Sequence, residues 1–225
     1  MSVDTSAARD EILASIRRKL EASAAHEHAN THRAQRTETI TITEAKPAPS
    51  SLTETFVQNL EAVKGDWAVV SDIKEASIVL QNLLTEIAPG RIAISDSPLV
   101  KSLVDQIKTN AEILERATTA DLFDCDVGIT TAQLAMAETG TLVMRLESEF
   151  SRLTSLVPEV HICILDASNI RATMGEVLSE ISANLDPAVT FITGPSRTSD
   201  IELTLAIGVH GPRELFVIVI EDPKA

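Results

Sequence analysis

From residue 51 onward the sequence switches repeatedly between two kinds of apolar pattern, and this switching limits the accessible folds more than any other feature. Leu52, Phe56, Leu60 and Val63 recur at helical spacing, as do the apolar residues between Asp72 and Ile87, where Pro89-Gly90 supplies a stop. Between such segments stand apolar runs of strand length: WAVVS at 67–71, RIAIS at 91–95, DVGIT at 126–130, HICIL at 161–165 and LFVIVI at 215–220. Residues 112–116, 140–146 and 189–193 are further strand candidates, and helices are expected over 173–184 and 199–207. Another helix should open at Ser97-Pro98, with serine as N-cap and proline in the first helical position. Several runs are continuously apolar rather than alternating, as burial of both strand faces requires. The expected class is α/β: a three-layer α/β/α domain with a mostly parallel sheet, whose ligands bind in loops after the strand ends.

The first 50 residues read differently. Ile12, Leu13, Ile16 and Leu20 make an amphipathic helix of residues 1–24, and residues 25–50, polar and closed by Pro47 and Pro49, read as a flexible linker before a domain of residues 51–225. Such a helix is marginal alone, so its apolar stripe is expected to dock on something. The chain carries a net charge of −14, and the excess lies beyond residue 50, where 26 acidic residues face 12 basic ones. That field repels nucleic acid and anionic membranes. Aromatic residues are only 3% of the chain, with no Tyr and one Trp, which argues against base-stacking platforms. Cys125 and Cys163 are too few for a disulfide framework, a zinc site or a self-contained iron–sulfur ligand set. No apolar run approaches the roughly 20 residues of a membrane span, and the N-terminus lacks a basic start followed by an apolar stretch. A cytoplasmic setting without membrane insertion is expected.

Three segments hold the candidate functional residues. Thr193–Pro212, TGPSRTSDIELTLAIGVHGP, turns through Gly194, and Ser199 and Glu202 have capping-box spacing. Ser196, Arg197 and Thr198 would then stand before a helix N-terminus, where backbone N–H groups favour an anion and Arg197 adds a fork for a carboxylate or phosphate. The structural alternative pairs Arg197 with Asp200 or another surface acid. In Gly128–Gly140, Glu138 precedes a strand, where burial would raise its pKa toward acid–base work; otherwise it caps the turn at Thr139 or Gly140. In Ser151–His161, Arg152 can add charge to an anion site. His161 and His210 are candidates for proton transfer or for structural anchoring. His26, His28 and His32 form a loose cluster without fixed metal-ligand spacing, and neither glycine-rich nucleotide motif occurs.

Three stretches taken together, AETGTLVM at 137–144, SRLTSLVPEVHICIL at 151–165 and FITGPSRTSDIELTLAIGVHGP at 191–212, closely resemble the LUD domain family of bacterial lactate utilisation protein C. The likeness covers most of residues 51–221, and the first helix also looks like the family's. It implies a fold like that of the sugar-phosphate isomerase and CoA-transferase superfamily. It also implies a role in oxidising L-lactate to pyruvate with two partner proteins, at least one bearing iron–sulfur clusters, and no cofactor in this chain. Electrons must then leave through a partner or a further cofactor. On this reading Gly194, Ser196, Arg197 and Thr198 hold the carboxylate of a 2-hydroxy acid, with Arg152, Thr139 and Gly140 nearby. Glu138, His161 or His210 takes the hydroxyl proton. These roles rest on chemistry, since the family supplies no settled catalytic residues to carry over. Two alternatives stay open: a stand-alone enzyme on an acyl-CoA or sugar phosphate, with Glu138 as nucleophile or base and Arg197 on the phosphate, or a non-catalytic adaptor whose first helix recruits the iron–sulfur partner.

Overall fold

The structure, a computed structural model, describes residues 51–145, 152–183, 188–199, 205–207 and 211–223. The expected helix of residues 1–24, the linker of 25–50, the His26–His28–His32 cluster, Glu202 and His210 lie outside the described residues.

Helix α1 (Leu52–Ala62) starts where Ser51 Oγ accepts from the N–H of Glu54 at 3.1 Å. After β1 (Asp66–Val70), α2 (Ile73–Ile87) is capped at both ends by its own sequence. Asp72 accepts from the N–H of Glu75, and Glu75 from the N–H of Ser71, both at 2.9 Å. Ala88 closes the helix in the left-handed conformation before Pro89-Gly90. β2 (Arg91–Ile94) leads to the short α3 (Pro98–Val104), which has proline at its start as expected, although the Ser97 side chain makes no capping bond. β3 (Glu112–Leu114), α4 (Thr119–Phe123) and β4 (Val127–Ala132) follow. β7 (Val160–Asp166) and β12 (Glu214–Ile220) complete a six-stranded, wholly parallel sheet ordered β1-β12-β7-β4-β2-β3.

The continuous apolar runs have the predicted consequence. Ile92, Ile94, Val127, Ile129, Ile162, Ile164, Ile218 and Ile220 point to one face and pack under Leu80 and Leu84 of α2 and Val100 and Leu103 of α3. Each such side chain removed from water contributes about 1.5–3 kcal/mol. Cys163, Leu165, Val217 and Val219 point to the opposite face.

That opposite face departs from the expectation of helices throughout. It is covered by Phe56, Val57 and Leu60 of α1 together with a second, mixed sheet. This sheet is built from β5 (Leu134–Met136), β6 (Thr141–Arg145), β8 (Ile170–Arg171) and β9 (Val189–Ile192), in the order β8-β5-β6-β9. The candidate strands 140–146 and 189–193 therefore exist but pair antiparallel to each other, outside the parallel sheet. The outer face of the second sheet is covered in turn by Val177 and Ile181 of α5 (Met174–Ala183).

One expected element is replaced. Arg197–Ser199 forms β10 and pairs antiparallel with β11 (Leu205–Ile207), so the described residues of 199–207 are strand rather than the expected helix. In the sequence, Ile201, Leu203, Leu205 and Ile207 recur every second residue, which is a strand period. Ser199 is the last residue of β10 rather than a helix N-cap, and Glu202 lies outside the described residues.

Candidate functional site

The sheets leave a cavity of about 320 Å3 beside the amino ends of β7 and β12. His161, the second residue of β7, and Leu215, the second of β12, form part of its wall. The chain leaving β9 at Thr193–Arg197 and the turn Gly211-Pro212 before β12 supply much of the rest. The site thus lies at the opposite end of the parallel strands from the general expectation for α/β sheets. It is the exit of β9, from the second sheet, that delivers the polar loop there.

The loop is held by three contacts. The N–H of Ser196 donates to the carbonyl of Pro212 at 2.8 Å, joining the two segments of the wall. Gly194 takes φ +79° against α1, where a Cβ would come within 2.6 Å of the Val63 carbonyl oxygen. Arg197 Nη2 donates to that same carbonyl, at the C-terminal end of α1, where a cation also suits the helix dipole. Arg197 is therefore anchored to backbone at the rim rather than set before a helix N-terminus. The anion site expected from free helical N–H groups is not formed, because the residues after Ser196 are strand. Thr198 lies within β10.

His161 is buried at the site, with only 1% of its surface exposed. Its Nε2 stands 2.9 Å from the hydroxyl of Thr130, one strand away on β4, and Thr130 is fully buried. Its Nδ1 is buried and has no hydrogen-bond partner among the described residues. Burial lowers the imidazole pKa from 6.5 to about 3, so the ring is neutral at physiological pH. The unfolded chain binds this proton near pH 6.5 and the folded chain only near pH 3, so stability falls as pH drops below 6.5, by up to about 1.4 kcal/mol per unit. Urea titrations at pH 7 and pH 5 should show the wild type losing roughly 2 kcal/mol more than His161→Asn; equal losses would mean that His161 does not resist protonation.

The other expected site residues lie around the cavity rather than in it. Glu138 is exposed and its Oε1 accepts from the N–H of Met174 at 2.6 Å, so it caps α5. The burial on which an acid–base role for Glu138 depended is absent. Thr139 Oγ1 is 2.7 Å from Thr141 Oγ1, which is 2.7 Å from Thr193 Oγ1 at the cavity wall. Gly140 packs on the backbone of α1. Thr139 and Gly140 therefore brace the wall from behind. Arg152 is exposed in a single 3-10 turn, Arg152–Ser155, whose Ser155 does reach the cavity. Sequence reasoning missed Thr130 as the partner of His161, and Thr193 and Leu215 as wall residues. The one available signal was strand parity: Thr130 and His161 sit in adjacent buried runs.

Cys125 and Cys163 are both buried and belong to different apolar clusters, so they do not form a ligand pair. Among the described residues no three of His, Cys, Asp and Glu stand together as a metal site, and no helix is long and apolar enough to cross a membrane.

A parallel sheet with a small mixed sheet on one of its faces, and a cavity beside the amino ends of β7 and β12, define an α/β domain. The chain belongs to the LUD domain family, whose model matches residues 53–220. A protein of Neisseria meningitidis serogroup B, described as uncharacterized, is 36% identical over 70% of this chain and 68% of its own length. Lactate utilization protein C of Bacillus subtilis is 32% identical over 64% of this chain and 57% of its own length. That of Halalkalibacterium halodurans is 38% identical over 43% and 45%. The chain thus spans about half the length of these lactate utilization relatives. A DUF162 family protein from Deinococcus radiodurans, known from a crystal structure, shares the fold with a TM-score of 0.57 at 22% identity, over 76% of this chain and 96% of that one.

Proposed function

We propose that this chain is a cytoplasmic component of an L-lactate utilisation system, supporting the oxidation of L-lactate to pyruvate together with iron–sulfur partner proteins. The observation that carries the reading is a cavity of small-ligand size, with Arg197 and Ser196 in its wall, in a chain whose relatives are named lactate utilization protein C. In this proposal the remaining N–H groups of Arg197 and the Ser196 hydroxyl hold the carboxylate. Oxidation removes two electrons and two protons from lactate, and two separated cysteines cannot hold a cluster to receive the electrons. The electrons therefore pass to a partner. Neutral His161 serves as a hydrogen-bonding group rather than a strong base, so the chain binds and presents substrate while redox chemistry belongs to the partner. The acyl-CoA and sugar-phosphate alternative loses part of its support, because Glu138, its nucleophile or base, is exposed and caps α5 rather than lining the cavity.

A deletion strain should fail to grow on L-lactate and recover with the wild-type chain, while Arg197→Ala should restore growth at well under half the rate. Normal growth of the deletion strain on L-lactate would contradict the reading. Full rescue by Arg197→Ala would remove that side chain from carboxylate binding.

A further inference from the structure

The parallel sheet ends differently at its two edges. β3, at one edge, spans only Glu112–Leu114, and Glu112 is tied to Arg91 at 2.9 Å. A short, charged edge resists pairing with another chain. β1, at the other edge, reads DWAVV and pairs with β12 alone among the described residues. It carries no proline or lysine, and Trp67 and Val69 lie exposed on one face of it, at 39% and 37%. Leu52 of α1 and Ile78 of α2 are exposed as well, and both helices pack on β1, so exposed apolar side chains gather on the elements of this edge. The backbone is open there too. The N–H of Glu221 donates to the carbonyl of Val70 at 2.9 Å, so the backbone groups of Val70 face β12. Those groups alternate sides along a strand, and the N–H and C=O of Trp67 and Val69 therefore point to the open edge.

We propose that two copies of this chain associate through β1, which pairs antiparallel with β1 of the second copy about a two-fold axis at Ala68 and joins the two parallel sheets into one. The choice of occupant follows from self-complementarity. With Ala68 opposite Ala68, Trp67 stands opposite Val69 of the second copy, and Val69 opposite its Trp67. Both are hydrogen-bonded pairs, so every open N–H and C=O of Trp67 and Val69 finds a partner. An aromatic side chain against a β-branched one is a favourable cross-strand pair. Asp66 falls opposite Val70, so like charges do not meet. Continued past the strand ends, the same register sets Lys64 beside Asp72 of the second copy, once on each side of the axis. A strand of any sequence could take the backbone bonds, whereas the paired Trp–Val and Lys–Asp contacts arise from this sequence meeting itself.

Sedimentation velocity of the full chain over a concentration series tests this. The mass should rise toward twice the 24.2 kDa of one chain. Val69→Pro removes an N–H that faces the open edge, so the ladder to β12 keeps its bonds while association should weaken at least about tenfold. Ala68→Cys gives an independent reading. The two Cα atoms of a non-hydrogen-bonded antiparallel pair lie about 4.5 Å apart, within disulfide reach. Under mild oxidant Ala68→Cys should run as a cross-linked dimer. The wild type, whose Cys125 and Cys163 are buried, and Phe123→Cys, at an exposed position of α4, should cross-link far less. A chain that stays monomeric throughout the series would overturn the proposal and leave the edge to a strand of another protein. A dimer that Val69→Pro leaves intact and Ala68→Cys does not cross-link would overturn it as well, by placing the interface elsewhere.

Discussion

Gly140→Ala is expected to destabilise the protein by roughly 3–5 kcal/mol. The residue takes φ +62°, and a Cβ there would come within 2.2 Å of the Leu60 backbone nitrogen and 2.6 Å of the Asn59 carbonyl carbon. Both obstacles are helical backbone, so relief requires α1 to move off the second sheet. Asn59 is committed to the same junction, its Nδ2 donating to the carbonyl of Ala137 at 2.7 Å. With total stabilities of about 5–15 kcal/mol typical of single domains, such a loss is a large share. Urea denaturation should show a large drop in midpoint. Gly175→Ala is the control, since its Cβ would approach nothing closer than 3.7 Å and alanine favours a helix. A Gly140→Ala midpoint within the range of this control would contradict the packing described here.

Phe56→Ala should cost about 3–5 kcal/mol. Phe56 is fully buried in α1 and packs in the cluster that joins the central sheet, through Leu165, Val217 and Val219, to the second sheet, through Ala135 and Leu142. Its removal leaves a void that sheet-bound neighbours cannot close, because both walls are held by ladder hydrogen bonds. The loss should reach the site as well, since α1 presents the Val63 carbonyl that anchors Arg197. Ligand affinity should therefore fall even where the variant stays folded. Phe123→Ala, at a side chain 75% exposed, should change stability by no more than about 0.5 kcal/mol. Equal effects of the two substitutions would refute the placement of α1 against the second sheet.

The central sheet was legible because its strands carry their own signal. HICIL and LFVIVI are apolar without interruption, and they became β7 and β12 at the centre of the sheet. Caps were legible for a similar reason: Asp72 and Glu75 are local partners and need nothing from the rest of the chain. The second sheet was harder to read. β5 and β8 are three and two residues long, too short for any periodicity, and exist only through pairing with β6 and with each other. The segment 199–207 was misread because a capping-box spacing was given more weight than the period-two alternation beyond it. The site was legible in part. Gly194, Ser196, Arg197 and His161 do meet around one cavity. Glu138 and Arg152, chosen for charge, do not line it, because their placement depends on α5 and on the 3-10 turn, which are tertiary facts. The pairing of His161 with Thr130 follows from the β4–β7 register, which the sequence does not state.

The proposed place of this chain in L-lactate oxidation is tested most directly by isolating it, tagged, from its own cells grown on L-lactate. A visible spectrum and a lactate-dependent dye-reduction assay on the eluate give the answer. The account predicts iron–sulfur absorbance and dye reduction that co-purify with the chain and are absent when the tag is carried by an unrelated protein. A chain that elutes alone, colourless and inert toward L-lactate would contradict it.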